Sequence, residues 1–238
     1  VADQQSLGTT RLETKRLGYL KMRFSMKYFV LAITLLFAST IYAKEDLDKF
    51  HLNRLNFCKV SKSAINNYEP EKFNHSNNLL RSAGSDELYC GEKIIIRGVV
   101  LDQNCVPLPD AKIYMWQVGC DGKYPYAPLK GVADKDLINL DNNLTFTGNG
   151  RATTNNKGEF VFITVYPVDV HDLTSHVNVR VEHRGLGQKQ VRLMLKGHKV
   201  QYPFNNPELK KIAEIAAKTG TSIYDFKIVV PGDSNRGY

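Results

Sequence analysis

The chain has 238 residues, 42% hydrophobic and 24% charged, enough to bury a full core in one sizeable domain and too apolar for a disordered chain. Half of its formal charge of +8 lies at the start, where Arg11, Lys15, Arg16, Lys21, Arg23 and Lys27 outweigh Asp3 and Glu13, leaving +4 for everything after residue 43. That remainder is small and evenly scattered, which excludes the concentrated basic patch that nucleic-acid binding needs.

In chain order, residues 1–21 precede the basic flank awkwardly, so translation is expected to start at Met22 or Met26, with 1–21 a mis-assigned upstream segment. Phe29 to Tyr42 is apolar, short for a bilayer span but the right length for a signal-peptide core. Residues 22–43 are therefore predicted to be a signal peptide cleaved after Ala43, before the polar Lys44-Glu45-Asp46. The expected location is exported, periplasmic or secreted, with membrane attachment only through an uncleaved N-terminal segment. The competing reading is a retained anchor or core helix.

Residues 44–76 form a lead-in, partly helical because Leu47, Phe50 and Leu55 recur at helical spacing. Strands are predicted at Lys93–Leu101, Ala111–Gln117, Glu159–Val165, Val177–Glu182, Gln190–Leu195 and Phe226–Val230, separated by Gly, Pro, Asn and Asp. Glu159–Val165 carries apolar residues on both faces. One helix interrupts them, with Asn206 as N-cap, Pro207 in the first turn, Leu209, Ile212, Ala213 and Ala216 as its apolar stripe, and Gly220 as its stop. The fold class is mostly β, a prealbumin-like β-sandwich with one short C-terminal helix, over 77–232, followed by a tail at 233–238.

Cys58, Cys90, Cys105 and Cys120 all follow the signal segment, an even number that suits an oxidising compartment. Cys105 lies in the turn after the first strand and Cys120 beyond the second, about seven residues and roughly 23 Å away, so those two should not meet. Cys90 sits at the same end of that hairpin as Cys120, and a Cys90–Cys120 disulfide is predicted. The pairing of Cys58 and Cys105 is left open.

Met115-Trp116-Gln117 followed by Asp121-Gly122-Lys123-Tyr124 resembles a strand end of the intradiol ring-cleavage dioxygenases, in particular protocatechuate 3,4-dioxygenase. Phe146 to Arg151 is similar to the family's glycine-rich turn, and Thr153–Gly158 with Phe160–Pro167 to its following hairpin and strand. His176-Val177-Asn178-Val179 falls at its His-x-His pair, and Tyr224–Val230 at its closing strand. The resemblance covers about 77–232 and implies ferric iron (Fe3+) held by two tyrosines and two histidines, a catechol-type aromatic substrate, and dioxygen as oxidant.

Under that resemblance Tyr124 matches the first tyrosine and His176 the first histidine. Val170 stands at the second tyrosine, Asn178 at the second histidine and Leu173 near an arginine that supports the substrate. Substitute ligands from the shortened loop are His171, Tyr166 and Asp169, with Asn178 a weak oxygen donor; two histidines and a carboxylate would favour a divalent ion. The plain alternatives are a tyrosine packed over the hairpin end at 124 and a backbone-bonded histidine at 176. Trp116 reads as core, and His183 and His198 as ordinary surface histidines. Three functions follow: an exported intradiol dioxygenase, a non-catalytic binding or structural module derived from that family, or a secreted protein whose mouth binds a phenolic or glycan ligand.

Overall fold

The structure, a computed structural model, describes residues 58–81, 90–132, 134–141, 145–198 and 206–234. The expected upstream segment, signal peptide and helical part of the lead-in (1–57) lie outside the described residues, as does most of the tail.

Seven strands and one helix are described: β1 (Lys93–Leu101), β2 (Lys112–Trp116), β3 (Asn149–Thr153), β4 (Glu159–Val165), β5 (His176–His183), β6 (Gly187–Met194), α1 (Pro207–Thr219) and β7 (Ser222–Val229). They form two sheets, β4-β1-β7 and β3-β2-β5-β6. β1 runs antiparallel to β4 and parallel to β7, and every pairing in the second sheet is antiparallel. The sheets pack as a sandwich. Ile94, Ile96, Phe160, Phe162, Phe226 and Ile228 of the first meet Ile113, Met115, Val177, Val179, Val181, Val191 and Leu193 of the second.

Period-two alternation fixes which residues leave this core. On the far side of the first sheet, Val99, Leu101 and Val229 pack against Cys58 and Leu209 of α1. β1 is thus buried on both faces, which is why its sequence is a nearly continuous apolar run, broken at Arg97 and Gly98. The helix is capped as its sequence dictates: the Asn206 side chain accepts from the Glu208 N–H, and Gly220 at φ 67° donates its N–H to the Ala216 carbonyl. On the outer face of the second sheet the alternation leaves Tyr114 and Trp116 of β2, His176, Asn178 and Arg180 of β5, and Gln190 and Arg192 of β6.

The segment from Cys58 to Leu80 touches all four sheet edges. Ser61 donates to the Val229 carbonyl at 3.0 Å, Ala64 to Gln190 at 3.1 Å, and Leu79 to Ile163 at 2.8 Å, while the Ser76 carbonyl accepts from Arg151 N at 3.1 Å. Each edge strand is thereby met at one point by the same segment of the chain. Leu79 and Leu80 end the segment inside the core. Two disulfides are formed, Cys90–Cys120 with Cα atoms 6.1 Å apart and Cys58–Cys105 at 5.4 Å. The second anchors the start of this wrapping segment.

One element departs from expectation. Residues 146–151 read as a glycine-rich turn, yet Asn149–Thr153 is an edge strand paired with β2 from Lys112 to Trp116. β2 needs a partner on that side, and tertiary pairing overrides the weak strand propensity of Asn-Gly. Gly150 is required by close approach, because a Cβ there would run into the Ser76 carbonyl oxygen.

Candidate functional site

Trp116, Asn178 and Arg192 form a row across β2, β5 and β6, with Asn178 in register with both of the others. The wrapping segment lies over this row. Asn66 accepts the Trp116 indole N–H on Oδ1 at 3.1 Å and donates from Nδ2 to the Tyr124 hydroxyl at 3.3 Å. The Tyr68 ring stacks on Tyr124 with centroids 4.7 Å apart, and Phe73 meets Trp116 edge-on at 5.9 Å. An amide thus sits among aromatic walls.

Tyr124 is held by its own loop. Its N–H donates to the Leu137 carbonyl at 2.7 Å, and its carbonyl accepts from Asn139 N at 2.9 Å. The turn that delivers it uses Gly122 at φ 76°, next to the Cys120 disulfide. Burial pushes the phenol above its usual pKa, against the lowering effects of the Asn66 hydrogen bond, Arg192 and Asn178, while Tyr68 adds to the rise. Tyr124 is therefore a neutral phenol, and so is Tyr126, whose buried hydroxyl has no hydrogen-bond partner among the described residues.

His176 opens β5 on the same face. Its Nδ1 lies 2.8 Å from the Thr174 carbonyl, and since a carbonyl only accepts, Nδ1 carries the proton and Nε2 presents a lone pair. Burial lowers its pKa, Arg192 lowers it further, and the Thr174 bond and Asp169 oppose the change. The ring is neutral near pH 7. Tyr124 and His176 are thus joined through common neighbours: Arg192 acts on both, and Asn178, two residues beyond His176, faces the Tyr124 phenol.

Asn178 is 1% exposed and its amide lies against the Tyr124 phenol, where it lowers that group's pKa, although among the described residues neither Oδ1 nor Nδ2 makes a well-aligned hydrogen bond. Val170 packs against the Trp116, Val118 and Tyr124 cluster. A cleft of about 290 Å3 shares Asn66 as a wall and continues along Arg180 and Gln190.

The shortened loop does not deliver the substitute ligands to this cluster. His171, in a left-handed turn at φ 50° and 63% exposed, points to Asp134 at 3.1 Å. Tyr166 packs against Tyr224 beside the sandwich core. Asp169 is near enough to His176 to act on it, but its carboxylate accepts from the Ser175 hydroxyl at 2.6 Å and backbone N–H at 2.7 Å, with Lys196 at 3.4 Å. Those contacts, the Ser175 hydroxyl first, hold its pKa low. His198 stacks on Phe226 and bonds the Asp225 carbonyl, and His183 accepts from Gly185 N in the β5–β6 turn. Among the described residues no group of three or more His, Cys, Asp or Glu side chains has the spacing of a metal site.

Sequence reasoning missed Asn66, Tyr68, Phe73 and Arg192. Arg192 had a readable signal, since Val191, Leu193 and Leu195 point inward and leave it on the outer face. The other three belong to a segment without regular structure.

Residues 67–181 match the family model Dioxygenase_C, described as "Dioxygenase". A "Putative dioxygenase" of Rickettsia bellii is 45% identical over 170 residues, covering 71% of this chain and 80% of that protein. The protocatechuate 3,4-dioxygenase beta chain of Burkholderia cepacia is 32% identical over 77 residues, 32% of this chain and 30% of that one. An intradiol ring-cleavage dioxygenase from Tetranychus urticae superposes with a TM-score of 0.51 at 17% identity, across 75% of this chain and 98% of the other, which shows a shared fold.

Proposed function

Because the chain belongs to the intradiol ring-cleavage dioxygenase family, we propose that it is an exported member whose outer-face site binds a catechol-type aromatic molecule without assembling the family's ferric centre. The observation that carries this reading is the place of Asn178: a buried amide beside the Tyr124 phenol, set between Trp116 and Arg192 where the family resemblance puts a histidine.

The residues present do not fit ferric iron. A trivalent ion held by two phenolates and two imidazoles needs hard anionic donors and negative charge close by. Tyr124 and His176 supply one of each, Val170 has no donor, and an amide is a weak one. The charge that reaches both Tyr124 and His176 is the Arg192 guanidinium, which opposes a cation. What remains is a neutral phenol, a neutral imidazole with an unprotonated Nε2, an amide and aromatic walls, a set whose chemistry suits a phenolic ligand. Export is supported by the pairing of all four cysteines in disulfides, which persist in oxidising compartments.

Ring cleavage with iron is the second reading, favoured by Tyr124 and His176 sharing one face. Iron analysis of the protein refolded with ferric salt, with visible spectroscopy for tyrosinate-to-iron charge transfer and a catechol turnover assay, decides between them. A colourless, iron-free protein that binds catechol is expected. Iron near one per chain with a charge-transfer band and ring-opened product overturns the proposal.

A further inference from the structure

The β2–β3 side of the second sheet carries a cleft of its own, whose lining includes neither Tyr124 nor His176. It measures about 420 Å3 and is lined by His75, Lys112, Tyr114, Arg151, Ala152 and Thr153. Register brings these residues together from distant parts of the sequence. Lys112 is opposite Thr153 and Tyr114 opposite Arg151, so Lys112 and Arg151 are diagonal neighbours on one face. His75 arrives on the wrapping segment, whose backbone is fixed to β3 on either side of it: the Asn74 N–H donates to Asn149 Oδ1 at 2.9 Å, and the Ser76 carbonyl accepts from Arg151 N at 3.1 Å. The Arg151 guanidinium meets His75 Nδ1. Because a guanidinium only donates, Nδ1 accepts and Nε2 carries the ring proton.

Among the described residues no carboxylate lines this cleft, and neither Lys112 nor Arg151 is ion-paired. Arg180, the other register partner of Tyr114, instead gathers two carboxylates, Glu69 and Glu182. Glu182 is opposite Lys112 in the β2–β5 pairing, yet its Oε1 lies 3.1 Å from the Arg180 Nε. Two cations side by side without a counter-charge repel, and an anion between them removes that cost.

We propose that His75, Lys112 and Arg151 form a binding site for the dianionic phosphate of a small phosphate monoester. Two positive charges match two negative ones. The guanidinium fork takes two phosphate oxygens, the Lys112 ammonium acts as a point charge, and the His75 Nε2–H is a further donor. A carboxylate would fill the fork and leave Lys112 unmatched. The body of the ester has room beyond, since an adjoining groove of about 560 Å3 shares His75, Arg151, Ala152 and Thr153 and continues past Asn77 and Asn155. Glu159 and Glu208 also line that groove, and Glu159 accepts from Asn155 Nδ2 at 3.0 Å. Their charge holds the phosphate at the Lys112 end, and the amides and carboxylates suit a body that carries hydroxyls. None of these residues belongs to the Tyr124 row, so the site stands whatever that row binds.

The test is a calorimetric titration of the full chain with methyl phosphate, methyl sulfate and acetate at constant ionic strength and about pH 8, where methyl phosphate is a dianion and methyl sulfate a monoanion of the same shape. Backbone amide shifts in NMR spectra locate the ligand. Saturable one-to-one binding of methyl phosphate is expected, with shifts centred on β2 and β3 and an affinity roughly 10-fold or more above either monoanion. Lys112→Gln and Arg151→Gln are each expected to weaken it roughly 10- to 100-fold, the range for a charged hydrogen bond lost. Lys218→Gln, on α1, is expected to leave it unchanged. Both altered side chains in the cleft are exposed, and should Arg151→Gln disturb the β3 edge, Lys112→Gln carries the test. No saturable binding, methyl phosphate bound no more tightly than methyl sulfate, shifts centred elsewhere, or an affinity indifferent to Lys112→Gln overturns the site.

Discussion

Arg97 and Asp225 face each other across the parallel β1–β7 pairing and join through two hydrogen bonds, Nε to Oδ1 and Nη2 to Oδ2, each 2.7 Å. Nη1 donates to the Leu209 carbonyl at 2.7 Å, so the same guanidinium ties α1 to the sheet. The side chains are 9% and 5% exposed, and a pair so placed gains Coulomb energy only against a large desolvation cost. Its worth appears when one partner is removed and the other is stranded. Asp225→Ala is expected to lower unfolding free energy by about 3–5 kcal/mol in urea denaturation, and Arg97→Met/Asp225→Leu to lose less than the single change. A single-variant loss below ~1 kcal/mol would remove the pair from the account of this sheet.

The disulfides act on the unfolded chain. Cys58–Cys105 closes a loop with a sequence separation of 47 and Cys90–Cys120 one of 30, which in the chain-entropy model are worth about 4 and about 3.6 kcal/mol. Cys58–Cys105 also anchors the segment that brings Asn66, Tyr68 and Phe73 over Trp116. Cys58→Ser/Cys105→Ser is therefore expected to cost stability and to shift Trp116 emission to the red as water reaches the indole. Unchanged emission in a folded double variant would mean that the edge hydrogen bonds alone hold the segment.

How much of this was legible depends on whether the determining physics is local. β1 and β4 match their sequence-based bounds because strands buried on both faces read as nearly continuous runs of branched and aromatic residues, with Arg97 and Gly98 the break in β1. The ends of α1 were readable because the Asn206 and Gly220 caps are local chemistry. β3 was not, since an edge strand of Asn, Gly, Arg, Ala and Thr owes its existence to β2 alone. In the site, Tyr124 and His176 stood out through their motifs. That Arg192 lies beside Asn178 and acts on both Tyr124 and His176 follows from the β5–β6 register and the tertiary packing. Neither is written in a spacing.

His176 gives stability a pH dependence whose sign follows from its burial. Its folded pKa lies below the ordinary imidazole value of 6.5, so between the two values the unfolded chain binds more protons than the folded one. This contribution is complete above 6.5 and is lost as pH falls from there toward the folded value. Asp169, whose carboxyl is held below 3.8, loses its contribution only in more acidic solution. Urea midpoints at about pH 7.5 and about pH 5.5 should therefore differ, with the lower pH less stable, and His176→Gln should reduce the difference. A difference unaltered by His176→Gln assigns the titration to another group.

The claim that the ferric donor set is half present can be tested by completing it. Asn178→His would project a second imidazole from the outer face of β5, two residues from His176, and Val170→Tyr a second phenol from within the Tyr124 cluster. Arg192→Gln would remove the cation that acts on both existing donors while keeping a side chain of similar reach. Hard phenolates and imidazoles together suit ferric iron, so the triple variant is expected to take up close to one iron per chain and to turn coloured through tyrosinate-to-iron charge transfer. The variant with Arg192 retained should bind far less, because a trivalent ion and a guanidinium repel strongly at low dielectric. Metal analysis and visible absorption on protein shown to be folded by circular dichroism give the answer. A folded triple variant that stays colourless and iron-free would mean that residues 170 and 178 do not converge on Tyr124 and His176, and the half-set description would lose its geometric basis.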